Sequence, residues 1–317
     1  NFPISGIKFD YDFITSIVII KRSAAKVNLK LKLISEIRAN AIIKACDKLL
    51  LDKPQNQFPI DIFQTGSGTS TNMNVNEVLA TLANTFITDK NNLIHPNDHI
   101  NMGQSSNDVI PTAIHVSSLI AVEEKLLPAL VKIESELSLK VKEFDKVLKI
   151  GRTHLQDATP MTLGQEFSGY QSIVKNSLAQ IKQSKKLLSN LAQGGTAVGT
   201  GINTHKKFGL LIADEISKYK NIKFLKTKNH FEAQSAQNSV VAFSGSLKTL
   251  AVGLNKIAND IRWLGSGPRS GIGELTIPAV QPGSSIMPGK VNPVICESMI
   301  QVCSQVIAND MAISLGG

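Results

Sequence analysis

Three long apolar stripes constrain the fold most. Leu119, Val122, Leu126, Leu130, Ile133, Leu137, Val141 and Phe144 recur at steps of three and four. Leu163, Phe167, Tyr170, Val174, Leu178, Ile181 and Leu188 continue that rhythm, and Val240, Phe243, Leu247, Leu250, Leu254, Ile257, Ile261 and Leu264 hold it throughout. Such steps place one apolar face on a helix. Each stretch covers about 25–30 residues, which predicts helices of roughly 40 Å, far longer than the usual three turns. Helices of that length bury their faces against one another. The spacing therefore predicts an all-α fold built as a long-helix bundle. Pro128 falls inside the first stripe and is expected to kink it. A fourth helix is expected from Val294, with Asn292 as N-cap and Pro293 in the first turn.

The rest of the chain is organised differently. Residues 1–105 read as a smaller, mainly helical N-terminal domain, with shorter helical pieces at Lys21–Leu51 and Asn74–Phe86 joined by Pro- and Asn-rich turns. Residues 106–317 read as the bundle domain. No βαβ pattern and no internal repeat is visible. The least helical segments are 66–72, 95–107, 151–160, 194–204 and 265–292; they are polar and rich in glycine. Loops of this kind carry chemistry while long helices hold them in place.

Composition removes several classes of function. The apolar set is 42% of the chain and charged residues are 19%, which excludes a wholly disordered protein. The apolar run Phe13–Ile20 meets Lys21 and Arg22 at once, well short of the roughly 20 residues that a membrane span needs. It lacks the cleavage site of a secretory signal. Three cysteines, Cys46, Cys296 and Cys303, form no disulfide framework and point to reduced thiols in the cytoplasm. The net charge is +9, carried by 29 Lys against 5 Arg. The densest run, Lys218 to Lys228, lacks the arginine forks and interleaved aromatics of a nucleic-acid groove, so it reads as solvated surface. A basic balance also attracts small anions such as dicarboxylates.

Five loops hold groups suited to chemistry. Residues 283–293 (GSSIMPGKVNP) offer two serines, a lysine and an asparagine just before a helix. Freed backbone N–H groups and a helix N-terminus suit an anion there, and a structural turn fits equally well. The loop is not a nucleotide-phosphate loop: its spacing is one residue too long, and Val291 replaces the required Ser or Thr. His154, in GRTHLQD, is of the residue type best suited to general acid–base work, although a lone loop histidine is commonly only a surface group. Gly66–Thr69 and Gln104–Asn107 cluster short hydroxyls and amides, each alone readable as turn or cap chemistry. Gly194–Gly201 lacks the strand that a dinucleotide fingerprint requires. His95 and His99 are separated by Pro96, which breaks the helix needed for a paired zinc site. No motif requires a metal or an organic cofactor.

Taken together, the loops resemble the fumarase/aspartase superfamily of lyases. The matching segments are GSGTSTNMNVN at 66–76, HPNDHINMGQSSND at 95–108, GRTHLQDATPMTLGQEFSGY at 151–170, GSGPRSGIGEL at 265–275 and the 283–293 loop. They occur in the expected order across essentially the whole chain. Gly289 in MPGKVNP, Ser106 in QSSND and the form GSGPRSG are similar to the class II fumarate hydratase branch rather than to aspartate ammonia-lyases. The resemblance implies a homotetramer whose active sites form where loops of three subunits meet. It implies hydration of fumarate to L-malate without cofactor, through an aci-carboxylate carbanion. It assigns Ser284, His154, Glu297, Lys290 and Asn292 to catalysis, with Ser284 taking the C3 proton and Glu297 orienting His154. It assigns Ser67, Gly68, Thr69, Ser105, Ser106, Asn107, Thr153, Ser285, Lys290, Val291 and Asn292 to substrate binding. A second dicarboxylate site near the entrance is implied at His95, Pro96, Asn97 and Asp98, although Asn92 stands where a basic residue is usual.

The family pattern continues beyond both ends of this chain. The resemblance therefore implies a partial sequence, with one bundle helix and a small C-terminal domain absent and an apolar stripe left uncovered. Two rival readings share the fold: an aspartate ammonia-lyase, and a non-catalytic structural protein. The joint presence of Ser284, Lys290, Asn292, His154 and Glu297 argues against the second.

Overall fold

The computed structural model describes residues 2–317. Ten α-helices are found among them: α1 Tyr11–Lys30, α2 Glu36–Asp52, α3 Thr69–Asn84, α4 Ser106–Ala121, α5 Leu127–Glu143, α6 Leu163–Ser184, α7 Phe208–Lys220, α8 His230–Ser235, α9 Asn238–Leu264 and α10 Val294–Gly316. Strands β1 Leu148–Thr153 and β2 Gln156–Thr162 form an antiparallel hairpin, and the short β3 Asn190–Leu191 and β4 Leu225–Lys226 pair in parallel. The predominantly helical expectation holds, with these two small sheets added. Contacts divide the chain into two compact units, Asn1–Glu123 with Lys186–Val240, and Glu124–Lys185 with Val241–Gly317.

In the first unit α1 packs against α2, α3, α4 and α7. Ile14, Ile17, Val18, Ile19 and Ile20 are buried. A helix that is apolar all round belongs in a core, and the Phe13–Ile20 run does so here. The expected helical piece Lys21–Leu51 is two helices. It breaks at Lys32, whose φ is 59°, and restarts at Ser35, whose side chain accepts from the Arg38 N–H to cap α2.

In the second unit Leu137 of α5, Leu163, Phe167, Tyr170 and Val174 of α6 and Ile257 of α9 form one apolar cluster. These are residues of the three predicted stripes. Pro128 sits in the first turn of α5, directly after a π-type turn over Val122–Leu126; prolines and π-type turns are both places where a helix bends. Asp310 of α10 accepts from Ser244 Oγ (2.7 Å) and Lys248 Nζ (2.6 Å) of α9, which joins those helices. Among the described residues no helix is long and apolar enough to cross a membrane. Cys46 and Cys303 are buried, Cys296 is half-buried, and all three are free thiols.

Candidate active site

The hydroxyl cluster of the first unit is built by two helix N-termini. Gly68, at φ 67°, ends the loop and leads into α3. A Cβ there would lie 2.6 Å from Ile110 Cγ1 of α4, so only glycine permits the two helix starts to approach this closely. That approach brings Thr69 Oγ1 to 3.0 Å from Ser106 Oγ, while Ser67 Oγ, two residues earlier, lies 2.9 Å from Thr69 Oγ1. Ser105 caps α4 in a reciprocal box with Asp108. Two helix N-termini with neutral hydroxyls at their mouths can receive a carboxylate.

Beneath this mouth lie charged groups that sequence reasoning missed. Asp108 is buried and accepts from the N–H of Ser105 (2.9 Å), Gly194 (3.2 Å) and Thr196 (2.9 Å). Burial pushes its carboxyl up to about 7 against those N–H donors and the charge of Lys21. Lys21 is fully buried and donates to Asn101 Oδ1 (2.7 Å) and Gln104 Oε1 (3.2 Å). Burial draws its ammonium down to about 7, opposed by Asp108. The segment 194–201 supports this cluster, since Asn107 Nδ2 donates to Ala197 O at 2.8 Å. Its glycines were the only sequence signal for that role.

The entrance-site group gathers on a π-type turn, Pro96–Ile100. His95 Nδ1 lies 3.3 Å from both the backbone N and Oδ2 of Asp98. His95, Asn97 and Asp98 are exposed and Pro96 is half-buried.

In the second unit, residues 151–160 are not the loop expected from sequence. They form most of the β1–β2 hairpin, in which Thr153 opposes Gln156 and His154–Leu155 make the two-residue turn. Both turn residues have positive φ, 54° and 62°. Such turns favour Asn-Gly or Gly-Gly, so a histidine and a leucine here hold the strained left-handed conformation. Thr153 and His154 are exposed at the tip. The sequence hides this strand pair because polar residues and the absence of turn glycines mask it.

The loop 284–291 closes on itself. Asn292 Nδ2 donates to Gly283 O at 3.1 Å, and a Cβ on Gly283 would meet Lys290 O at 2.1 Å. A turn from Met287 to Lys290, with Gly289 at φ 80°, completes it. Pro293 takes the cap position of α10 rather than its first turn, because the Asn292 side chain is spent on the loop. Ser284 is half-buried; Ser285, Lys290 and Val291 are exposed. Lys290 and Val291 line a cavity of about 320 Å³ with Gly267, Pro268 and Leu275. Glu297 sits in the first turn of α10 and, among the described residues, shares no hydrogen bond with His154.

Long helices carry hydroxyl-rich and glycine-rich loops here, and a family profile described as "Lyase" matches residues 3–308. A class II fumarate hydratase of Wigglesworthia glossinidia brevipalpis is 51% identical over all of this chain and 69% of its own length. The Nitrosomonas europaea protein of the same name is likewise 51% identical with the same coverage. The crystal structure of a class II fumarase from Schistosoma mansoni superposes with a TM-score of 0.96 at 40% identity, covering 99% of this chain and 70% of that one. The chain belongs to the lyase family and, within it, to the class II fumarate hydratases.

Proposed function

We propose that this chain catalyses the reversible hydration of fumarate to L-malate, as a cytoplasmic homotetramer without cofactor. The observation that carries this reading is the 51% identity to a class II fumarate hydratase along the whole chain. In the dehydration direction Ser284 takes the C3 proton of malate. The electron pair left on C3 is delocalised into the neighbouring carboxylate, giving a dianionic aci-carboxylate. Lys290, Asn292 and the loop N–H groups are suited to hold that charge, since preorganised donors act where charge develops. The pair then forms the double bond as the C2 hydroxyl leaves with a proton from His154, as water. Ser67, Thr69, Ser105, Ser106, Asn107 and Thr153 hold the carboxylates, with Gly68, Ser285 and Val291 shaping the loops around them. Glu297 orients His154. His95, Pro96, Asn97 and Asp98 form a separate entrance group.

The test supplies L-malate and L-aspartate separately and follows fumarate by its ultraviolet absorbance. Fumarate from malate alone supports the hydratase; fumarate from aspartate transfers the chain to the ammonia-lyases; silence with both from a folded tetramer sinks the reading. Ser284→Ala and His154→Asn are each expected to lower kcat by about 100-fold or more, in the range of lost proton-transfer catalysis, with unchanged helicity. His95→Asn is expected to leave turnover nearly intact.

A further inference from the structure

Three apart on a regular strand, Lys149 and Arg152 would point to opposite faces of the hairpin. They converge instead. The register of β1 against β2 slips between Ile150 and Arg152, and this bulge turns both cations onto one carboxylate. Lys149 Nζ lies 2.7 Å from Glu274 Oε2, and Arg152 Nη2 lies 2.6 Å from Glu274 Oε1. Gly151 permits the slip, since a Cβ there would lie 2.9 Å from the Thr159 carbonyl oxygen. Lys149 also pairs with Glu166 of α6, whose Oε1 accepts from the Tyr170 hydroxyl at 2.9 Å. Glu274 is itself fixed, because its N–H donates to Leu264 O at the end of α9 at 2.8 Å.

These four charges are largely withdrawn from water, Lys149 with a side chain only 7% exposed. Two cations and two carboxylates cancel, which such burial demands. Burial pushes the Glu274 carboxyl up, but Arg152 and Lys149 outweigh it and hold the group below the usual carboxylate range. A two-stranded hairpin alone is marginal in water, and this one carries a strained turn at its tip. Its base therefore needs an external anchor if the tip is to hold one direction. Arg152 is joined directly to Thr153, and His154 follows.

We propose that Glu274 is a positioning residue that, by clamping Lys149 and Arg152 across the bulge, sets the direction in which the hairpin presents His154. The effect on turnover rests on the reading of His154 as the group that handles the hydroxyl proton. The clamp itself does not.

Glu274→Gln keeps the size and loses the charge. It is expected to lower kcat by about 10- to 100-fold, as small misplacements of a reacting group do, with KM little changed. Glu274→Asp should restore much of the loss. Because Glu274 acts through His154, Glu274→Gln combined with His154→Asn should be no slower than His154→Asn alone. Amide hydrogen exchange at Thr153–Gln156 should quicken in Glu274→Gln. An unchanged kcat, or losses that multiply in the double variant, would overturn the proposal. If the wild-type chain does not turn over malate, the proposed function fails by itself, and exchange decides the clamp: faster exchange supports it, unchanged exchange overturns it. Should Glu274→Gln not fold, Arg152→Met removes one arm only and is read by the same measurements, with a smaller expected loss.

Discussion

At the scale of single residues, buried carboxylates in this chain divide by what surrounds them. Asp61 gathers the N–H of Phe63 (2.9 Å), Ser5 (2.8 Å) and Gly6 (2.8 Å), with the Ser5 hydroxyl. These donors, Phe63 foremost, hold its carboxyl below the ordinary value. A carboxylate with a lowered folded pKa adds stability above its unfolded value of about 3.9 and loses it as pH falls through the folded value. Asp61→Asn is therefore expected to destabilise the chain at pH 7 and to have a smaller penalty below pH about 4. Urea midpoints of both proteins at neutral and acid pH check this; a penalty that stays the same at both would show that the charge is immaterial. Asp108 has the opposite sign, since burial wins over its donors. The difference lies in depth, which no sequence pattern announces: SSND reads as a helix cap, and only the fold reveals that the last residue also holds a distant glycine loop.

Among the elements, legibility followed periodicity. Leu163, Phe167, Tyr170 and Val174 repeat at helical steps and form the buried face of α6, because a long amphipathic helix writes its burial into its spacing. Thr69 and Ser106 stood out as hydroxyls before helices, yet their 3.0 Å approach depends on how α3 meets α4 at Gly68. The hairpin was invisible, since its strands are polar and its turn uses His154 and Leu155 where glycine or asparagine would signal a reversal. That choice has a cost. Each non-glycine residue in the left-handed region loses roughly 1–2 kcal/mol. Leu155 is exposed and gives up no core packing when shortened. Leu155→Gly is thus expected to stabilise the protein by about 1 kcal/mol, somewhat offset by glycine's greater freedom when unfolded, while His154 stays in place. Thermal unfolding of the variant measures it; a lower melting temperature would mean that the leucine side chain has contacts that outweigh its backbone strain. The strain persists at a residue proposed to move protons, where such outliers concentrate.

For the whole molecule, the question is why no single loop looks complete. The Ser67–Asn107 hydroxyls and the second unit's Thr153–His154 and Ser284–Asn292 loops are each proposed to supply part of the chemistry. An enzyme that shares its sites among copies distributes its catalytic groups in this way, and closed symmetry makes every shared site equivalent. This has a consequence that separates it from a site completed within one chain. His154→Asn and Ser284→Ala homotetramers are each expected to be inactive. Unfolded together in equal amounts and refolded, they form mixed tetramers. Some sites then receive a wild-type hairpin from one copy and a wild-type serine loop from another. Random mixing makes about a quarter of the sites whole, so close to a quarter of the wild-type kcat per site should return, with the KM of the wild type. Mixing without unfolding should return nothing, which controls for contaminating activity. If refolded mixtures stay as inactive as their parents while remaining tetrameric, hairpin and serine loop act within one chain, and the shared site falls although the hydratase reading survives.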